Sequence, residues 1–186
     1  MEGLKFILSP PLRAKEHQEA IWQGIKDGTL QVIATDHCSF DFHGDKQNGK
    51  DDFTKCPNGA PGVETRMPIV FSEGVSKGRL SLNEFAAVTS TDPAKIFGMY
   101  PKKGVLAPGS DADIVLMNPD MEVTITKNIL HENVDYTPYE GIQVKGWPVM
   151  TMVRGQAVVE NERLQVPLGF GRYINRKPVK YTELLK

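Results

Sequence analysis

The sequence predicts an α/β fold whose helical part gives way to a layer of short antiparallel strands. Three observations predict it. Two apolar runs, Lys5–Ser9 and the stretch from Leu30, flank an amphipathic helix with short connections, the pattern of a βαβ unit with parallel strands. Helical signals then dominate from Glu64 to Gly98. From Lys103 the composition turns to alternating, β-branched segments between tight turns.

In chain order, Lys5-Phe6-Ile7-Leu8-Ser9 reads as a short buried strand stopped by Pro10-Pro11. Ala14 to Lys26 reads as a helix, with Ala20, Ile21, Gly24 and Ile25 on one face and Trp22 at its flank. Asp27-Gly28 ends it. The run Leu30-Gln31-Val32-Ile33-Ala34-Thr35 reads as a strand buried on both faces, ending in Asp36-His37-Cys38. A long polar loop, His37 to Gly62, follows; loops of that length are functional or mobile. Glu64 to Lys77 reads as a helix with Met67, Val70, Phe71, Gly74 and Val75 inward. Ser81-Leu82-Asn83-Glu84 is a capping-box pattern opening the next helix. Asp92 to Phe97 is a third, with Pro93 in its first turn and Gly98 after its end. Strands are expected at Ala112–Met117, Met121–Ile125, Gln143–Arg154 and Gln156–Val159, and an aperiodic tail from Gly169 to Lys186. Trp22, Trp147, Phe71 and Phe97 read as core or interface residues.

Composition excludes several function classes. Hydrophobic residues make up 40% and charged residues 24%, with a net charge of −1, so no electrostatic case exists for nucleic acid or an anionic membrane. No apolar run approaches the ~20 residues that span a bilayer. The N-terminus lacks the shape of a signal peptide, and Cys38 and Cys56 do not make a disulfide framework. A cytoplasmic location is expected.

The chemistry-bearing residues each have two readings. Asp36, at a strand end, suits a metal ligand or a proton acceptor; it equally suits a cap on the next turn. His37, Cys38, His43 and Cys56 could form a small zinc site, although their spacing matches no paired pattern. Cys38 otherwise reads as a small buried residue. Cys56-Pro57-Asn58-Gly59-Ala60-Pro61-Gly62 is a rigid turn able to present main-chain groups to a ligand, or a plain loop. Ser9 is a possible substrate contact or a strand-end hydroxyl; His17 and His131 read as isolated. No phosphate-binding glycine motif occurs.

Together, Ser9-Pro10-Pro11-Leu12-Arg13, Thr35-Asp36-His37-Cys38, Pro57-Asn58-Gly59-Ala60-Pro61-Gly62, Ser90-Thr91-Asp92-Pro93-Ala94-Lys95-Ile96-Phe97-Gly98 and Gly109-Ser110-Asp111-Ala112-Asp113-Ile114-Val115, in this order, resemble the dihydropyrimidinase (hydantoinase) family of the amidohydrolase superfamily. The resemblance implies the last βα units of a TIM-like (β/α)8 metal-dependent hydrolase barrel over 1–102, β-sandwich strands over 103–160, and a tail, 161–186, that contacts other subunits. It implies a zinc-dependent hydrolase of cyclic diamides, dihydropyrimidines or 5-substituted hydantoins, with two zinc ions per site and a homotetrameric assembly. Asp36 matches the family's aspartate that ligates one metal and shuttles the proton; Ser9 and Asn58 match positions that hold the substrate's ring amide. The family's remaining metal ligands, a His-x-His pair, a carboxylated lysine and two further histidines, have no counterpart here. The chain is therefore expected to be inactive alone. The alternatives are a non-catalytic assembly module of the same family and an independent zinc-binding domain.

Overall fold

The computed structural model describes residues 2–179; the end of the expected tail, 180–186, lies outside the described residues. Helix α1 runs His17–Lys26, three residues later than the periodicity begins. Its inward face is set by Ile25 and half-buried Trp22, which pack with Leu80 and Val88. Ala20 and Ile21, expected on that face, are exposed.

Helix α2, Arg66–Val70, opens into a π-helical stretch at Phe71–Ser76, and its expected inward residues are buried or half-buried. Helix α3, Leu82–Ala86, begins at Ser81 with the complete capping box: Ser81 Oγ accepts from the Glu84 amide, and the Glu84 carboxylate accepts from the Ser81 amide at 2.7 Å. A second π-helical stretch, Ala87–Thr91, leads into α4, Asp92–Ile96. There Thr89 Oγ1 donates to the Phe85 carbonyl at 2.6 Å, the back-bond by which a mid-helix threonine loosens the ladder.

The β layer is one antiparallel sheet, β1 (Ile114–Thr124), β2 (Gln143–Val153), β3 (Gln156–Glu160) and β4 (Arg163–Leu164), in sequential order. The two strands expected at 112–117 and 121–125 are a single β1, because β2 is long enough to pair with both halves. The excess between Asn118 and Glu122 is absorbed as an irregularity in register. The short β4 carried no alternating signal.

The sheet docks on the π-helical stretch after α2 through a polar exchange. The Lys145 amide donates to Ser72 Oγ at 3.0 Å, and Ser76 Oγ donates to the Lys145 carbonyl at 3.0 Å. Gly146 lies over the ring of Phe71, where a Cβ would stand 2.1 Å from Cδ1. Its φ of +101° is likewise open to glycine alone.

Both segments expected as parallel strands are corrected. Glu2–Phe6 forms a 3-10 turn, and 30–40 has no regular secondary structure. Its backbone amides bond to scattered partners, Leu30 to the Gly24 carbonyl, Ile33 to the Val88 carbonyl and Cys38 to the Ala60 carbonyl, where a strand needs a row along one neighbour. Nor is the run buried on both faces: Leu30 is 42% exposed, while Ile33 packs against helix residues of two core clusters. Phe97 is exposed as well and so is not a core residue of this chain.

From 165 to 179 the chain runs without regular structure but is fastened to the body. Arg154 Nη2 donates to the Phe170 carbonyl at 2.8 Å with its guanidinium over the Phe170 ring, and the Lys177 amide donates to the Gly98 carbonyl at 2.9 Å.

Candidate active-site cavity

Ser9, Asp36 and Asn58, which lie far apart in sequence, line one cavity of about 410 Å³. Its remaining wall is largely apolar, with Leu8, Leu12, Pro61, Pro138 and Ile142. A few polar groups converging in an apolar concavity is the usual anatomy of a small-molecule site.

Backbone bonds hold the three residues in register. The Gly59 amide donates to the Ile7 carbonyl at 3.1 Å, which fixes the Ser9 segment against the Asn58 turn. On the other side the Cys38 amide donates to the Ala60 carbonyl at 3.2 Å. Gly59 sits at φ +146° with its Cα so close to Cys38 that a Cβ would lie 2.2 Å from the Cys38 carbonyl oxygen. Only glycine permits that approach. His37 closes the arrangement. Its Nδ1 accepts from the amides of Gly62 at 3.1 Å and Val63 at 3.3 Å, so the ring is the tautomer protonated on Nε2. The nearby Glu132 carboxylate, 3.7 Å from the same nitrogen, is then not its ion-pair partner. Glu132 Oε1 instead accepts from the Glu64 amide.

Asp36 adopts φ +47°, the left-handed region that aspartate tolerates better than most residues. Its carboxylate is solvent-exposed at the cavity, and no hydrogen bond fastens it as a turn cap among the described residues.

Sequence reasoning missed Lys46. The loop's charged residues read as a solvated stretch, yet Lys46 is fully buried. Its ammonium donates to the carbonyls of Ile7 at 2.8 Å, Pro57 at 2.8 Å and Gly59 at 2.7 Å. Burial pushes its pKa down. No sequence signal marks it, since a lysine in a glycine-rich loop is ordinarily a surface residue. Beneath it, Leu4, Phe42, Cys56 and Tyr136 form a small core, in which burial pushes the Tyr136 phenol up to about 12.

The zinc-domain alternative is corrected. His37 is committed to Gly62 and Val63, His43 pairs with Asp135 at 2.7 Å, and Cys56 is buried beside Leu4. Cys38 is exposed, not buried as expected. His131, expected to be isolated, pairs with Glu64 at 2.7 Å, and that hydrogen bond raises its pKa. Among the described residues no three His, Cys, Asp or Glu side chains converge on a metal position. The donor set at the cavity does not fit a two-metal centre: Asp36 is its one carboxylate, and one ligand cannot hold such a site.

Residues 2–158 match the model of the amidohydrolase family, and the chain belongs to that family. Within it the chain is 48% identical over 184 residues to the D-hydantoinase of Geobacillus stearothermophilus, covering 99% of this chain and 39% of that one. It is also 48% identical to a D-phenylhydantoinase of Escherichia coli, covering 95% and 38%. The crystal structure of dihydropyrimidinase from Brevibacillus agri superimposes with a TM-score of 0.94 at 50% identity, covering 96% of this chain and 39% of that one. The chain thus spans about two fifths of the length of the relatives it matches. The fold expected from the sequence is that of hydantoinase amidohydrolases.

Proposed function

We propose that this chain is the C-terminal part of a cyclic-amide hydrolase acting on dihydropyrimidines or 5-substituted hydantoins, and supplies one carboxylate and the amide-binding wall of its site. The observation that carries the reading is the convergence of Ser9, Asp36 and Asn58 on one stitched cavity. In this reading main-chain groups at Ser9 and Asn58 hold the ring amide. The Asp36 carboxylate takes the proton from the attacking water and delivers it to the ring nitrogen as the C–N bond breaks. A two-zinc centre of the kind the resemblance implies would draw all ligands but Asp36 from outside this chain. The chain alone is therefore expected to be inactive and to keep no zinc through dialysis.

The tail supports a second element of the reading, assembly into a homo-oligomer. Leu168 is 96% exposed and Tyr173 87%, an apolar pair suited to a subunit contact. A non-catalytic assembly module would use the same surface. Deleting 161–186 is expected to lower the oligomer size by light scattering; an unchanged size removes the tail from the account. A cytoplasmic location agrees with the described residues, none of whose helices is long and apolar enough to cross a membrane.

The test joins this chain to the portion of the Geobacillus relative that it does not match, and compares Asp36 with Asp36→Asn. Loss of dihydrouracil hydrolysis by about 10³-fold or more is expected, since the proton carrier is removed. Retained hydrolysis in the Asn variant contradicts the assigned role.

A further inference from the structure

We propose that Lys46 is the positioning residue of the amide-binding wall, an internal cation that sets which way the main chain at Asn58 and Ser9 faces. This rests on the reading of the cavity given above and deepens it. The ammonium has three donors, and all three go to main-chain carbonyls: Ile7, Pro57 and Gly59. None goes to a carboxylate, so the charge is buried without a counterion among these partners.

An apolar side chain of similar length would avoid the desolvation cost of a charge but would take the donor away from these carbonyls. What an ammonium provides and an apolar chain cannot is orientation. The Pro57 and Gly59 carbonyls belong to the peptide units on either side of Asn58–Gly59. In a trans peptide the N–H points opposite to the C=O. Clamping the Pro57 carbonyl onto Lys46 turns the Asn58 N–H away from Lys46, and clamping the Ile7 carbonyl does the same for Leu8 N–H, one residue before Ser9. The same Ile7 carbonyl accepts from the Gly59 amide, so one cation registers both walls of the cavity.

The experiment uses Lys46→Met, which keeps the stem and removes the charge. In the chain by itself, hydrogen exchange at the Gly59 amide is expected to quicken tenfold or more while the β2 amides stay protected. Unchanged exchange at Gly59 overturns the proposal. If Lys46→Met does not fold, Lys46→Arg, which keeps the charge but displaces the donors, is read in the same way; failure of both to fold identifies Lys46 as plain core support and overturns the positioning role. In the joined protein described above, Lys46→Met is expected to raise KM for dihydrouracil at least tenfold with kcat changed less than threefold, the signature of lost ground-state binding. A fall in kcat at constant KM, or no change in either, overturns the inference and leaves the reading of the site standing. An unsubstituted joined protein that does not hydrolyse dihydrouracil overturns that reading instead, together with the substrate half of the inference.

Discussion

Asp36, Asn58 and Ser9 were legible as candidates because their residue types and motif context stand out in sequence. Lys46 was not, because nothing local distinguishes a buried loop lysine from a solvated one. The same blindness covers Cys38 and His131, whose surroundings come from segments remote in sequence. Asp135 is a further case. Its carboxylate accepts from the Phe42 amide at 2.6 Å, the His43 amide at 2.9 Å and the His43 ring at 2.7 Å, and so anchors the loop that carries Lys46. Burial pushes its pKa up, but the two amide bonds and the His43 ring outweigh it and the net shift is downward. A lowered carboxylate pKa gives stability that is present above the ordinary Asp value of about 3.9 and lost as pH falls through the folded value. Asp135→Ala is expected to cost about 1–3 kcal/mol at neutral pH in urea unfolding, since two amides lose a charged acceptor. The cost should shrink below about pH 3.9. A variant as stable as the parent at pH 7 contradicts the anchoring role.

At the scale of elements, helices were the legible part. The capping box at Ser81, Pro93 in the first turn of α4 and Gly98 after its end are local signals, and local signals suffice for a helix. Ser81→Ala is expected to destabilise by about 1 kcal/mol in the same unfolding assay. Strands were less legible because a strand is defined by its neighbour. The apolar runs at 5–9 and from Leu30 have strand composition, but the described residues give them no adjacent ladder. Conversely, β1 reads as two strands in sequence and is one in space, because β2 bridges its irregular middle. The docking of β2 on the π-helical stretch after α2 was not legible at all; it depends on Gly146 admitting the Phe71 ring. Gly146→Ala forces both a clash and an unfavourable φ, and a loss of about 2–3 kcal/mol is expected. An alanine variant of full stability would show that the sheet can back away from the helix.

The whole molecule spans about two fifths of the length of the relatives it matches. The apolar run from Leu30 packs on helix residues through Ile33 while Leu30 stays exposed, and the cavity offers one metal-competent carboxylate. The family was readable from five motifs in order, because they carry local geometry: a turn that admits Gly59, a helix start at Asp92, a left-handed bend at Asp36. Burial and register were less readable, since these are properties of contacts between distant segments. The central claim is that the stitched cavity is one wall of a cyclic-amide hydrolase site whose other wall lies outside these residues. Its most direct test is dihydrouracil and hydantoin hydrolysis by the isolated chain and by the chain joined to the unmatched portion of the Geobacillus relative, with zinc present. The account predicts no turnover by the isolated chain and recovered turnover by the joined protein. Turnover by the isolated chain, or none by a folded, zinc-loaded joined protein, would contradict it.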